Sequence, residues 1–140
     1  MVRALVREGV DTVFGIPGVQ TYELFDALGR APEIRVVAPR HEQAASYMAY
    51  GYAKATGRTG VYSVVPGPGV LNASGGLCTA YGASAPLLCL TSEVPTPYIG
   101  SGLGHLHELP DQLATIRLLT KWGERINKPE QVPAVMDEEE

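Results

Sequence analysis

The 140 residues of this chain are enough for one domain, and a hydrophobic content of 45% can bury a real core. The net charge is −4 and basic residues do not cluster, which argues against nucleic acid or an anionic membrane as a partner. The sequence has neither an apolar run near the ~20 residues of a membrane span nor a cleavable leader, so we expect a cytoplasmic protein without a membrane partner.

Helix-like and strand-like stretches alternate along the chain. In order, the patterns predict helix 2–8, strand 11–15, helix 20–29, strand 34–38, helix 41–56, strand 60–66, helix 69–83, strand 86–91, a loop 92–109, helix 110–120, a possible strand 121–126 and helix 129–136. This βαβα order predicts an α/β fold, a three-layer αβα arrangement around a mostly parallel central sheet.

Three of the predicted strands end in special turn chemistry or in a charge. These ends are Gly15-Ile16-Pro17-Gly18 after strand 11–15, Glu42 after strand 34–38, and Pro66-Gly67-Pro68-Gly69 after strand 60–66. In open α/β sheets, ligands bind outside the carboxyl ends of the strands. We therefore expect these three positions to line one edge of the sheet and to form a site.

Glu42 is the best candidate in the chain for chemistry. A glutamate in the first turn of a helix is often only a favourable partner for the helix dipole. The residues that follow Glu42 are small and apolar, so its carboxylate is also expected to be partly desolvated. A carboxylate under these two opposing influences can hold or release a proton near neutral pH, as general acid–base catalysis requires.

The two glycine–proline loops have two interpretations. Glycine with proline is the commonest turn chemistry, so each loop could be an ordinary connection from strand to helix. The same residues would let a flat ligand approach the backbone closely, and the helix that opens at 70–72 could present its amides to an anion. The spacing is not that of a dinucleotide-binding fingerprint.

The helix predicted at 41–56 is apolar on every side. Small residues such as Ala45 and Ala49 alternate with bulky ones such as Tyr47 and Met48. We expect it to pack against the sheet and also against another protein surface.

Residues that could bind a metal are few. His105, His107 and Glu108 share one long loop, but a third convincing ligand is missing, so we expect substrate contact or an interface there and no metal. Cys78 and Cys89 are isolated in apolar segments and are expected to be buried free thiols. The acidic end, residues 137–140, is expected to be solvated.

Five motifs, taken together and in order, are similar to those of one family. They are Val13-Phe14-Gly15-Ile16-Pro17-Gly18, Arg40-His41-Glu42-Gln43-Ala44, Gly51-Tyr52-Ala53-Lys54-Ala55-Thr56-Gly57, Gly67-Pro68-Gly69 with Asn72, and Thr120-Lys121-Trp122. Over nearly its whole length the chain resembles the N-terminal pyrimidine-binding domain of thiamine diphosphate enzymes, and acetolactate synthase-like proteins in particular.

This resemblance implies a catalytic role for Glu42. In the family, the corresponding glutamate hydrogen-bonds the aminopyrimidine ring of thiamine diphosphate and promotes the tautomer that activates the thiazolium carbon for attack on a 2-oxo acid. The resemblance also implies cofactor contacts for Pro17, Gly18, Gly67, Pro68, Gly69 and Asn72. His107 and Glu108 fall near family positions that face the substrate.

The resemblance further implies partners that this sequence does not contain. Family members of this kind have a C-terminal domain whose Gly-Asp-Gly motif binds the diphosphate through magnesium, and a middle domain that in some holds FAD. We therefore expect residues 1–140 to be a single domain that supplies half of a site, truncated before its last strand. A diphosphate-binding domain in cis or in trans would complete it, within a dimer or tetramer.

Two other functions are compatible with the residues. A non-catalytic dimerisation or assembly module would explain the missing diphosphate motif and the tyrosine-rich helix. A stand-alone domain of flavodoxin-like type would bind a phosphorylated ligand by itself.

Overall fold

A computed structural model describes residues 1–137 as a four-stranded, all-parallel sheet covered by helices. The strands, in the spatial order β2-β1-β3-β4, are β1 (Thr12–Gly15), β2 (Arg35–Val37), β3 (Gly60–Ser63) and β4 (Leu87–Leu90). The helices are α1 (Val2–Arg7), α2 (Tyr22–Gly29), α3 (Glu42–Thr56), α4 (Pro68–Gly82), α5 (Gln112–Arg117) and α6 (Val132–Asp137), with 3-10 turns at Thr96–Tyr98 and Pro129–Gln131. The predicted α/β fold is confirmed.

Alternation along the strands divides the interior into two cores. Val13 pairs with Val61, and Phe14 with Tyr62. The two valines face a core to which helices α1, α2 and α6 contribute Leu5, Leu28 and Met136. Phe14 and Tyr62 face the other core, where α3 and α4 contribute Ala45, Ala49, Ala73 and Leu77. Both faces of the sheet are thus covered, which gives the expected three layers.

The strand predicted at 121–126 is wrong. Within residues 1–137 the sheet ends at β4, and a groove of about 1120 Å³ is lined both by β4 and by residues 119–127. A strand needs the hydrogen-bonding groups of a neighbour, and this run pairs with no described strand. Trp122 lies half-buried in the wall of the groove instead.

The two cysteines, both predicted to be buried, differ in burial. Cys89 is half-buried and packs against the core that contains Tyr62, and burial raises the pKa of its thiol to about 11. Cys78 is exposed, so the prediction of a buried thiol is wrong there. The buried side of α4 runs through Ala73, Leu77 and Ala80, and Cys78 falls outside that stripe.

Helix α3 lies on the sheet and on α4, as predicted for its inner side. The His41 ring accepts a hydrogen bond from the Gln43 N–H at the start of α3, and left-handed Gly57 ends it. The outer side is exposed in the single chain: Tyr47 is 39% exposed and Met48 is 37% exposed. The second surface that was predicted to cover this helix stays a prediction.

The carboxylate of Asp11 ties the start of β1 to the end of α3. It accepts hydrogen bonds from the Tyr52 hydroxyl at 2.7 Å and from the Arg58 guanidinium at 2.9 Å. The Tyr52 hydrogen bond, followed by that of Arg58, lowers the pKa of Asp11 from 3.8 to about 2. This cluster lies at the amino end of β1, and so away from the strand ends that carry the predicted site.

Two further observations bound the fold. No helix within residues 1–137 combines the length and the apolar character needed to cross a bilayer. The acidic end was expected to be solvated, but residues 138–140 lie outside the described residues. Asp137 forms an ion pair with Arg7.

Gly76→Ala should destabilise the chain by forcing α3 and α4 apart. A methyl group on Gly76 would lie 2.2 Å from Ser46 Oγ, so the helices must separate. This should lower the free energy of unfolding, measured in urea, by about 1–3 kcal/mol. The matched control is Gly51→Ala in α3. It meets no atom within 4 Å and should stabilise the chain by about 0.5–1 kcal/mol. Equal effects of the two substitutions would contradict this view of the helix contact.

Asp11→Asn should reduce stability near neutral pH and leave it almost unchanged in strong acid. The pKa of Asp11 is about 2 in the folded chain, below its ordinary value of 3.8. Ionised Asp11 therefore stabilises the fold fully above about pH 4, and this contribution is lost as the pH falls through about 2. Urea midpoints of both proteins between pH 6 and pH 2 should converge in acid. If the difference between the two urea midpoints stays constant over this pH range, the charge of Asp11 is not the cause of the lost stability.

Candidate functional site

The loops that carry the predicted site residues lie at one edge of the sheet. Strands β2, β1 and β3 are neighbours and parallel, so their carboxyl ends point the same way. The segment that leads to Glu42 follows β2, the Pro17–Gly18 loop follows β1, and the Gly67–Gly69 loop follows β3. The sequence prediction of a common edge is confirmed.

Glu42 and Asn72 meet near the starts of two helices. Glu42 is the first residue of α3, and its Oε2 accepts a hydrogen bond of 3.1 Å from Nδ2 of Asn72 in α4. Glu42 is half-buried and Asn72 is exposed. Within residues 1–137, Asn72 is the one hydrogen-bond partner of that carboxylate, so its other oxygen can bind a ligand.

The loop after β1 is held by the protein itself. The N–H and hydroxyl of Thr21 both donate to the Gly18 carbonyl, at 3.0 Å each. A methyl group on Gly18 would lie 2.5 Å from Val65 Cγ1, so this glycine is needed for the contact between the two loops. Pro17 is exposed at the edge, which leaves its ring available to a ligand.

The loop after β3 is buried on one side. Gly67 has a φ of +64° and caps α4, and Pro68 follows as an exposed first helical residue. A methyl group on Gly67 would lie 2.3 Å from the carbonyl oxygen of His107. Gly67 and Gly69 are buried. Both glycines allow close packing against neighbouring residues of the chain. Pro68 and Asn72 are exposed, so a ligand can reach them.

His107 and Glu108 make their hydrogen bonds inside the chain. Nδ1 of His107 lies 2.8 Å from Oε1 of Gln20, and both residues have a positive φ. The Glu108 carboxylate accepts from the Ser101 hydroxyl at 3.2 Å and from the Gly104 N–H at 3.3 Å, which folds its own loop. His107 therefore lies beside the Gly67 loop, whereas Glu108 organises residues 101–108. A substrate contact of either side chain stays a prediction.

Metal ligands do not gather at this edge. His105 stacks on Tyr98 with ring centroids 3.9 Å apart. Among residues 1–137, no three His, Cys, Asp or Glu side chains come together in a way that could hold a metal ion.

Sequence reasoning missed three polar residues that hold the loops in place. Thr21 is 1% exposed and Gln112 is 5% exposed, and Gln20 joins the loop after β1 to the Leu106 carbonyl at 3.1 Å. Gln20 and Gln112 bond backbone groups far away in sequence, which no local pattern reveals, whereas Thr21 bonds Gly18, three residues before it. The available signals were local: Gln20 and Thr21 follow a predicted strand end, and Gln112 lies near the start of a predicted helix.

In parallel α/β sheets, ligands bind outside the carboxyl ends of the strands, and this is where Glu42 and the two glycine–proline loops lie. Residues 1–115 match the family described as "Thiamine pyrophosphate enzyme, N-terminal TPP binding domain", and the chain belongs to it. The family assignment made from the five motifs is thus confirmed.

Several curated relatives are similar to the chain over almost its whole length. A probable 2-ketoarginine decarboxylase of Pseudomonas aeruginosa is 45% identical, covering 97% of this chain and 24% of the relative. A probable acetolactate synthase large subunit of Methanocaldococcus jannaschii is 39% identical, covering 95% and 22%. The chloroplastic acetolactate synthase of Arabidopsis thaliana is 38% identical, covering 99% and 20%. The chain thus spans about a quarter or less of the length of these relatives.

Gly67→Ala should destabilise the chain far more than Gly57→Ala, the same substitution at another glycine with a positive φ. It combines a φ of +64° with a clash against the His107 carbonyl, whereas Gly57→Ala has a φ of +70° and meets no atom within 4 Å. Gly57→Ala should cost about 1–2 kcal/mol for its backbone conformation alone. Gly67→Ala should cost about 1–3 kcal/mol more for the overpacking. Urea unfolding of the two variants tests this, and equal losses would show that residues 107 and 67 are not in tight contact.

Proposed function

We propose that Glu42 is the catalytic acid–base residue of a thiamine diphosphate site. The observation that carries this proposal is the half-buried carboxylate at the start of α3, positioned by Asn72 and with one oxygen that accepts no hydrogen bond from residues 1–137. Such a carboxylate can hydrogen-bond a ring nitrogen of the aminopyrimidine and exchange a proton with it. When bound, thiamine diphosphate supplies the electron sink for decarboxylation of a 2-oxo acid.

The cofactor-binding edge that we propose is made of contacting and supporting residues. The exposed Pro17, Pro68 and Asn72 are available for contact with the pyrimidine, together with the half-buried Gly18. Gly67 and Gly69 are buried and support the edge from beneath. His107 is the better placed of the two proposed substrate residues, because its backbone lies against Gly67.

The whole enzyme that we propose decarboxylates or ligates 2-oxo acids and needs a diphosphate-binding domain in cis or in trans. The relatives named as a decarboxylase and as acetolactate synthases support this, since each is at least four times as long as the chain. Magnesium would be bound with the diphosphate in that second domain, and FAD is a possible further cofactor of the full-length protein. We place the enzyme in the cytoplasm.

The surface formed by α3 and α4 is the interface that we propose for an oligomer. Tyr47, Met48, Leu71 and Tyr81 are exposed on these two helices, and Leu71 and Tyr81 are 47% and 62% exposed. Large exposed side chains along these two helices offer an apolar surface to a partner domain or to a second copy in a dimer or tetramer. The assembly role thus accompanies the catalytic one and does not replace it.

Glu42→Gln should lower cofactor-dependent turnover by about 10²–10⁴-fold, because the amide cannot exchange the proton but can still accept the hydrogen bond from Asn72. The assay is release of carbon dioxide from a panel of 2-oxo acids, with thiamine diphosphate and magnesium. It uses the full-length polypeptide that carries this domain, or the chain mixed with a diphosphate-binding domain. The chain alone should be inactive.

The matched control is Glu23→Gln, which makes the same change at an exposed acid in the first turn of α2. It should leave turnover unchanged. Normal turnover of the Glu42→Gln protein would refute the assignment of Glu42.

A further inference from the structure

Gln112 connects two of the loops that follow the strands. It is the first residue of α5 and only 5% exposed. Its Oε1 accepts a hydrogen bond of 2.7 Å from the Gly67 N–H, and its Nε2 donates one of 2.8 Å to the Ser92 carbonyl. Both ends of the side-chain amide are thus satisfied by backbone groups, one after β3 and one after β4.

The Gly67 N–H depends on this contact. Gly67 is buried and is the N-cap of α4, with a φ of +64°, so its N–H belongs to the helix-start amides that no helix carbonyl can satisfy. The carbonyl of His107 lies on the other side of Gly67. Residues 107 and 112 therefore hold the loop at two points, one by packing and one by a buried hydrogen bond.

The position of Gly67 determines where α4 begins. Asn72 lies in the first turns of α4 and donates to Glu42. A shift of the loop would move Asn72, and with it the hydrogen bond that orients the proposed catalytic carboxylate. The connection from Gln112 to Glu42 thus runs through Gly67 and Asn72, over two hydrogen bonds and the start of α4.

We propose that Gln112 is a positioning residue for the thiamine diphosphate site, one that sets the Gly67 loop and, through it, the Asn72–Glu42 pair. The proposal rests on the function proposed above. Gln112 does not touch Glu42, so its effect passes through the loop. Without the Gln112 side chain, the buried Gly67 N–H would lose its acceptor, which is costly. The Gly67 loop would then leave its present position to find water or another acceptor.

The experiment compares Gln112→Met with Gln131→Met in the full-length polypeptide or the reconstituted complex. Gln131 is a matched control because its Oε1 also accepts from two backbone N–H groups, those of Asn127 and Lys128, in an exposed turn outside the site. The measurements are the dissociation constant for thiamine diphosphate, turnover at saturating cofactor, and the urea midpoint. Hydrogen exchange at the Gly67 amide reports on the loop directly.

Gln112→Met should raise the dissociation constant for thiamine diphosphate about tenfold, equivalent to about 1.4 kcal/mol. It should lower turnover at saturation and speed exchange of the Gly67 amide, while Gln131→Met changes none of these. Gln112→Glu keeps an acceptor for Gly67 and should recover part of the affinity. It also provides a second variant if Gln112→Met does not fold.

The failures can be told apart. If the unchanged protein does not bind thiamine diphosphate, the proposed function fails and this proposal fails with it. If it binds, but Gln112→Met lowers only the urea midpoint and leaves affinity and turnover intact, Gln112 is structural and this proposal alone is wrong.

Discussion

The hydrogen bond from Asn72 to Glu42 depends on how closely α3 and α4 approach each other. Small residues bring the two helices together, and Gly76 lies so close to Ser46 that even a methyl group would not fit. Because the two helices begin at the same edge of a parallel sheet, this contact also brings their first turns together. The acid of one helix then meets the amide of the other.

Backbone contacts, more than side chains, shape the rest of the edge. Gly18 fits against Val65, and Gly67 fits between the His107 carbonyl and the amide of Gln112. These glycines are needed because parts of the protein lie where a Cβ would be. They close the loops tightly, so that Pro68 and Asn72 form the exposed surface above them.

The outer faces of the domain suit one half of a larger assembly. Glu42 lies at an open edge between two helices, and apolar residues such as Tyr47 and Tyr81 are exposed on those helices. The edge of β4 also faces a groove that residues 119–127 line from the other side. Such exposed surfaces are compatible with contacts to further domains, since the relatives are about four or more times as long as the chain.

The sequence by itself determined the order of helices and strands, the parallel sheet, the family, and the placement of Glu42, Pro17 and Gly67 at one edge. Those features follow from local periodicity and from loop residues directly after strands. The tertiary structure alone decided that 121–126 is not a strand and that Cys78 is exposed, since strand pairing and burial depend on neighbours. It also decided that Gln112 satisfies Gly67. That contact joins residues 45 positions apart, and no local pattern records it.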